Sequence, residues 1–509
     1  MRNDKNQELA KSLFVTGLSH LELHDYLNAE LCFKQAYEIL PDRPSILINY
    51  AAALIKLEKW SQCEKICSEL LAIDPDNLEG NLNTGICLAN KCLPESAINF
   101  FDKALRLDNN YIPALVNKAN ALQDLFKPDE ALLNYNKALL LNPGSEEALI
   151  GRGNIQIHFK LYDLALQSLK IALEINPKNP QALCNKGMLL IRMGQYSEGW
   201  RLYESRWDIP GGRQNYPRLN IPACKNLSQL KGKTLAIIAE QGFGDSIQFC
   251  RFLLNLLERC ANLKILFVVP EPLATLFESL NSNVKILINN QYSTEQVNNH
   301  ADYFLPLLSL PMLLNIDSSS IPISTPYLYP SRSKQQLWSN KLNTNIAAPR
   351  PFRIGITWSG SGKYASQLNT RRDIPFALVQ KLLDQFKSRN LEFHCLHKEL
   401  LDSELEALEH NRNIYLHSQY LNNFEDTAAL MCSMDLIISI DTSIAHLAGA
   451  LNLRHLLLLP DPPDFLSPIT GDRTPWYQST RIIRQIQTNE WDSVIDESII
   501  FIDKLLNTR

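Results

Sequence analysis

The sequence predicts a multidomain chain: an all-α superhelix of repeated helix pairs, followed by two doubly wound α/β lobes. Three observations carry this. Prolines stand at 41, 75, 143 and 177, all in one 34-residue register. After Asp208 the text crowds Pro and Gly into "IPGGRQNYPRLNIPACKNLSQLKG", which breaks helix. Beyond Gly232 the period disappears and short Ile/Leu/Val runs alternate with helical patterns, as in βαβ units. At 509 residues the chain exceeds a single core. The expected divisions are 1–207 for the helical array, 208–232 for a linker, 233–335 for the first α/β lobe and 336–509 for the second.

Composition narrows the function classes. The chain is 45% apolar and 20% charged, as a globular protein is, and its net charge of −4 argues against a nucleic-acid binder. The polar start runs directly into a helical pattern, so no signal peptide is expected. The greasiest run, "DLIISIDTSIAHLAGALNLRHLLLLP", is interrupted by Asp441, His446, Arg454 and His455 and reads as buried sheet, not a membrane span. Eleven cysteines without CxxC pairs suit reduced thiols, and a cytoplasmic location is expected. Cys63 and Cys67 share a helix face, but no neighbouring His completes a metal site, so no metal is expected.

The repeat register is supported by four rows of residues. Small residues recur at Gly17, Ala51, Gly85, Ala119, Gly153 and Gly187, where paired helices must approach closely. Ala29, Cys63, Ala97, Ala131, Ala165 and Gly199 form a second row, and Ala36, Ala104, Ala138 and Ala172 a third. Bulky rings fill Phe33, Phe101, Tyr135 and Tyr203. The 34-residue period resembles the tetratricopeptide repeat, with five repeats over about 10–179 and a sixth as a cap. Such an array leaves a long concave face. Along it runs Asn49, Asn83, Asn117 and Asn185, interrupted by Gly151. Asn carries donor and acceptor, so a ladder of them can hold an extended backbone. The ladder resembles that of protein O-GlcNAc transferases, also repeat–glycosyltransferase fusions; the bland reading is Asn tolerated on an exposed helix face.

In the α/β region, strands are expected at "TLAIIA", "KILFVVP", "VKILIN", "ADYFLP", "FRIGITW", "LEFHCLH", "NIYLHS", "DLIISID", "RHLLLLP" and "TRIIRQ". Three strand-end loops carry candidate chemistry. In the first, Gln241-Gly242-Phe243-Gly244-Asp245, Ile247 stands where a dinucleotide loop needs its third Gly, so the glycines are expected to clear space for a substrate. Asp245 heads a helix as either cap or base. The second, 358–373, combines Gly360, Gly362, Lys363, Arg371 and Arg372 and suits a diphosphate or a solvated basic surface. The third, 438–451, ends a strand at Asp441 and opens a helix at Thr442-Ser443, whose free amides form an anion site, with His446 just beyond.

Four separated motifs, "AEQGFGDSIQFCRF", "GITWSGSGK", "DTSIAHLAGAL" and "TPWYQSTRIIRQ", together resemble the ADP-heptose:lipopolysaccharide heptosyltransferase family over about 180–495, closest to members fused to tetratricopeptide repeats. The resemblance implies a GT-B fold of two Rossmann-like lobes, with the nucleotide sugar bound by the second and the acceptor by the first. It implies an inverting, metal-independent glycosyltransferase with no cofactor beyond its nucleotide-sugar substrate. Asp245 then matches the proposed general base, and Gln241, Gly242 and Gly244 line the acceptor loop. Lys363 and Arg372 fall in the phosphate loop, and Asp441, Thr442, Ser443 and His446 in the donor motif. The repeats would recruit a protein or glycan acceptor. The alternative is a repeat scaffold with a catalytically inactive glycosyltransferase-like domain. Two departures stand out: Asp373 replaces the usual Ser, and "DFLSPITGDRTPWY" replaces a Trp-Arg-Trp segment, so donor identity is not inherited.

Overall fold

A computed structural model describes residues 2–214, 218–291, 293–322, 326–343, 349–360, 372–409, 411 and 413–508. The chain divides into two compact units, Met1–Lys186 and Gly187–Arg509.

The first unit is a stack of antiparallel helix pairs. After the opening helix Arg2–Glu22, first-of-pair helices start at Pro44, Leu78, Ile112, Glu146 and Pro180; their partners start at Tyr26, Trp60, Pro94, Pro128, Tyr162 and Tyr196. Local chemistry sets these starts. Proline occupies the first turn at Pro44, Pro94 and Pro128, where its missing N–H has no helical partner anyway. Asn77 and Ser145 accept hydrogen bonds from the amides of Gly80 and Ala148. Each pair turns through one left-handed residue: His24, Glu58, Cys92, Phe126 and Lys160, with φ of 58°, 56°, 61°, 60° and 59°. At the second of these, Lys59 N–H closes onto Leu54 C=O at 2.9 Å, the six-to-one bond that ends a helix this way. Only the sixth turn supplies a glycine, Gly194.

The rows of small and bulky residues are two halves of one contact. A Cβ on Gly17 would lie 2.6 Å from the Phe33 ring, and one on Gly85 2.4 Å from Phe101. Gly151, which interrupts the Asn row, would place its Cβ 2.3 Å from Tyr135. No side chain fits there, so that ladder position is lost to packing.

The second unit begins earlier than the expected division at 207. The boundary falls inside the helix Pro180–Arg192, and residues from Gly187 onward pack with the α/β region. Trp200 meets Phe249 edge-on at 5.5 Å, Tyr196 meets Trp476 at 5.8 Å, and Arg192 donates to the Pro463 carbonyl at 2.7 Å. Arg206 forms a buried ion pair with Glu240 at 3.1 Å and also donates to Ser309. The aromatic and charged faces of residues 187–207 therefore join them to this unit, while the 34-residue register runs on through them.

Two parallel sheets follow. Strands β1 (Thr234–Ile238), β2 (Lys264–Val269), β3 (Val284–Ile288) and β4 (Tyr303–Pro306) lie in the order β3-β2-β1-β4. Strands β5 (Phe352–Thr357), β6 (Leu391–Cys395), β7 (Ile414–Leu416), β8 (Leu436–Ile440), β9 (His455–Leu459) and β10 (Thr480–Arg484) lie in the order β10-β9-β8-β5-β6-β7. All ten coincide with the apolar runs read from sequence. Continuous apolar strands such as Leu436–Ile440 are buried on both faces, as parallel sheets require. In each sheet the order reverses beside the first strand: between β1 and β4, and between β5 and β8. At such a switch point the loops on either side diverge and leave a crevice at the strand ends. The three candidate loops follow β1, β5 and β8. The helix Arg332–Asn343 belongs with the second lobe, since Trp338 stands edge-on to His417 at 5.1 Å; the lobe thus starts slightly before 336.

No helix among the described residues is long and apolar enough to cross a membrane.

Candidate functional site

The loops after β1, β5 and β8 converge on one cavity of about 310 Å³. Its lining includes Gln241, Gly242, Gly244 and Asp245 from the first, Gly360 and Arg372 from the second, and Asp441, Thr442, Ser443 and His446 from the third. Lys363 lies outside the described residues.

The first loop leaves β1 through Gln241, whose φ of 60° is left-handed for a non-glycine residue; its amide donates to the Tyr203 hydroxyl at 2.8 Å. Asp245 sits in the first turn of the helix Phe243–Phe249 and accepts the Gly242 N–H at 3.0 Å. It is therefore a helix cap, yet its carboxyl also lines the cavity. Burial pushes its pKa up to about 6, with a contribution from nearby Asp464 and against the pull of the Gly242 amide. Gly244 serves close packing more than open space: a Cβ there would lie 2.8 Å from the His446 ring. The helices Phe243–Phe249 and Ser443–Ala450 thus touch across the two lobes.

In the second loop the described ends are tied together. Asp373, the residue that departs from the family pattern, accepts the Gly360 N–H at 2.9 Å. Arg372 lies over Gly360, where a Cβ would come within 2.9 Å of its Nε, and donates to the Asp441 carbonyl at 3.2 Å. Its Nε is buried with no partner among the described residues.

In the third loop Thr442 stands at the N-cap of the helix Ser443–Ala450 without capping it by its own side chain. Asp441 is pushed up to about 7, by burial first and then by Asp464, with Arg372 pulling the other way. His446 is held down to about 3 by burial and is neutral; its Nδ1 lies 3.2 Å from the Tyr477 hydroxyl.

Among the cavity residues that sequence reasoning missed, Asp464 and Gln248 stand out. Asp464 opens to solvent within it, while the protein packed around the cleft raises its carboxyl. It lies in the "DPPDFLSP" segment, where a departure from the family was visible but a carboxylate role was not. Gln248, one turn past Asp245, was hidden in an apolar helix. A second chamber of about 300 Å³ adjoins the first through Phe243, Gly360, Thr442 and Ser443 and is lined further by His397, Lys398 and Asn423. His397 accepts the Trp358 N–H on Nε2 at 3.0 Å, and burial holds it neutral with a pKa of about 3.

Residues 20–81, 116–180 and 169–201 each match the family described as Tetratricopeptide repeat. The N-terminal region is an array of tetratricopeptide repeats. Among curated proteins, Protein FlbA of Caulobacter vibrioides is 25% identical over 320 residues, 60% of this chain and 52% of FlbA. The human DnaJ homolog subfamily C member 7 is 27% identical over 100 residues, 20% of each chain. This chain thus spans about half of FlbA and a fifth of the DnaJ homolog. Among solved structures, a thermophilic TPR protein of Thermus thermophilus is 21% identical, covering 36% of this chain and 99% of its own, with a TM-score of 0.33. PilF of Pseudomonas aeruginosa is 18% identical over 42% and 98%, with a TM-score of 0.34.

Within the tetratricopeptide array the Asn ladder is partly engaged with its own helices. Asn49 and Asn117 donate to the carbonyls of Ser45 and Pro113 at 2.8 and 2.9 Å. Asn185 donates to Asn154 of the preceding repeat at 2.8 Å, and Asn83 is buried. The array also brings Cys87 to the Cys63–Cys67 pair, all three buried and with sulfurs within 4.8 Å of one another. The sequence reading missed this third thiol because it comes from the next repeat. A structural zinc needs four ligands, and no His, Asp or Glu joins the trio among the described residues. Cys63 and Cys87 take positions that are alanine in neighbouring repeats, Cys67 takes one filled by Phe33 and Phe101, and all three pack as core.

Proposed function

We propose that the α/β unit transfers a sugar from a nucleoside-diphosphate sugar to an acceptor hydroxyl, in the GT-B manner that its motifs resemble. One observation carries the reading: Asp245 from one lobe lines the same cavity as Arg372 and a helix N-terminus without a side-chain cap from the other. The diphosphate would take the Ser443–Ala450 helix amides and the Arg372 guanidinium, which meet the charge that develops on the leaving group. Lys363 would join them, on the strength of the resemblance alone. The adjoining chamber would hold the nucleoside. Asp441 and Asp464 would accept hydrogen bonds from hydroxyls, a role compatible with carboxyls whose ionisation is resisted. As the acceptor oxygen bonds to the anomeric carbon, the bond from that carbon to the diphosphate breaks; Asp245 takes the hydroxyl proton. Inversion and metal independence belong to this reading through the resemblance.

The repeats would recruit the acceptor, a protein or a glycan, or a larger assembly. A second reading is a tetratricopeptide scaffold whose α/β unit binds a nucleotide sugar without turning it over. It is favoured by the Gly242 N–H already bound to Asp245, which gives that carboxylate a purely structural role. Thermal-shift measurements against nucleotide sugars, followed by mass-spectrometric assay for released nucleoside diphosphate, separate the two. Binding with turnover supports the transferase, binding without turnover supports the scaffold, and no binding sinks both.

A further inference from the structure

Gln248 is an anomaly in an otherwise well-satisfied wall. Its side chain is 0% exposed, lines the cavity, and leaves both amide Nε2 and Oε1 without a hydrogen-bond partner among the described residues. Buried amides are normally paired, and an unpaired one weakens the fold. Neighbouring polar groups are already engaged. Arg251 spends its Nε on the Gln248 backbone carbonyl at 2.9 Å and its Nη1 on the Trp476 carbonyl at 2.7 Å. The Trp476 indole donates to the Leu466 carbonyl, and the Tyr477 hydroxyl meets His446. A leucine would fill the same space without the penalty.

We infer that Gln248 recognises adjacent hydroxyls of a monosaccharide ring held at the inner end of this cavity. The inference deepens the glycosyl-transfer reading and rests on it. A primary amide offers two N–H donors and a carbonyl acceptor within a short span. A ligand that meets both ends carries neighbouring groups that each donate and accept, as vicinal hydroxyls do. The surroundings select the same chemistry. Asp245, Asp441 and Asp464 line the same cavity and can accept from hydroxyls. Gln248 lies three residues past Asp245, so the two side chains share a helix face. A ring presenting one hydroxyl to Asp245 therefore has its next ones near Gln248. That ring is either the donor's sugar or a sugar acceptor.

The test uses the full chain and Gln248→Leu, with UDP-glucose, UDP-N-acetylglucosamine, GDP-mannose and ADP-glucose each compared with its bare nucleoside diphosphate by calorimetry. The variant without ligand is expected to melt at or above the native temperature, because an unpaired amide has gone. If the ring is the donor's, the extra affinity of the sugar nucleotide over the bare nucleotide falls about tenfold or more in the variant, with nucleotide affinity unchanged. If the ring is the acceptor's, that increment survives and binding of free glucose, mannose or N-acetylglucosamine in the presence of UDP falls instead. Either loss supports the inference. Equal sugar affinity in both proteins, or a melting temperature several degrees lower in the variant, overturns it and leaves glycosyl transfer standing. If the native chain binds none of these nucleotides or sugars, the transfer reading falls and this one with it.

Discussion

The repeat unit and the α/β unit are built from similar apolar residues, yet they respond to sequence in opposite ways. In the repeats every structural contact joins near neighbours: Gly85 meets Phe101, and the same pairing recurs in register at Gly17 and Phe33. In the α/β unit the decisive groups, Asp245, Arg372, Asp441 and Asp464, come from strand ends far apart in the chain. Repetition makes the first unit stable and redundant. Convergence makes the second chemically specific, and vulnerable at single positions.

The largest test of that contrast is Asp245→Asn. Transfer is expected to fall by about 10²–10⁴, the worth of a positioned base, while nucleotide affinity stays nearly native. Unchanged turnover in steady-state assays would remove the base assignment.

Next come two glycines that look alike in sequence. Gly85→Ala and Gly449→Ala each force a Cβ onto a ring, at 2.4 Å from Phe101 and 2.1 Å from Tyr477. Each is expected to cost about 1–3 kcal/mol, read as a lowered calorimetric transition. Only the second should also depress turnover of a small acceptor, because Tyr477 holds His446. Equal activity losses would erase the distinction between the units.

A smaller effect is expected from pH. His397, His417, His446 and His455 are all held down to about 3, chiefly by burial, and all lie in the α/β unit. Their folded values are depressed, so the stability they contribute is present above 6.5, the ordinary imidazole value, and is lost as pH falls toward 3. Asp245 and Asp441, raised to about 6 and about 7, act with the opposite sign: their share is present at low pH and is lost as pH rises through those values. The melting temperature of this unit should therefore fall on acidification from 6.5. Turnover should climb through about pH 6 as Asp245 ionises. A turnover profile flat across that range would argue against Asp245 as base.

The smallest expected change is in the array. Replacing Asn83 and Asn117 by Ala should slow transfer to large acceptors by a few-fold, about the worth of one or two hydrogen bonds, and leave a minimal sugar acceptor untouched. A matching loss on the minimal acceptor would contradict a recruiting role for the ladder.

Much of the fold was legible for a physical reason. A 34-residue register prints the same packing demand repeatedly, and buried parallel strands require apolar runs that stand out between polar helices. The left-handed turns at His24, Glu58, Cys92, Phe126 and Lys160 were not legible, because none carries the glycine that normally marks such a backbone. The sixth pair keeps the repeat register, yet Tyr196, Trp200 and Arg206 pair with groups of the α/β unit, which no repeat pattern announces. Asp441 at the end of an apolar strand and Asp245 beyond the glycine loop that follows another could be picked out as candidates. Gln248 and Asp464 did not, since a lone amide in a helix and a carboxylate in a proline-rich loop acquire meaning only from what surrounds them.

The sequence by itself determined the helix pairs, the ten strands and the three loops that end at a switch point, because each is set by local periodicity and turn chemistry. Tertiary structure alone decided which polar groups share a cavity, that three carboxyls there resist ionisation, and that one buried amide has no partner among the described residues. Those properties depend on burial and on distances between chain segments that no local pattern encodes.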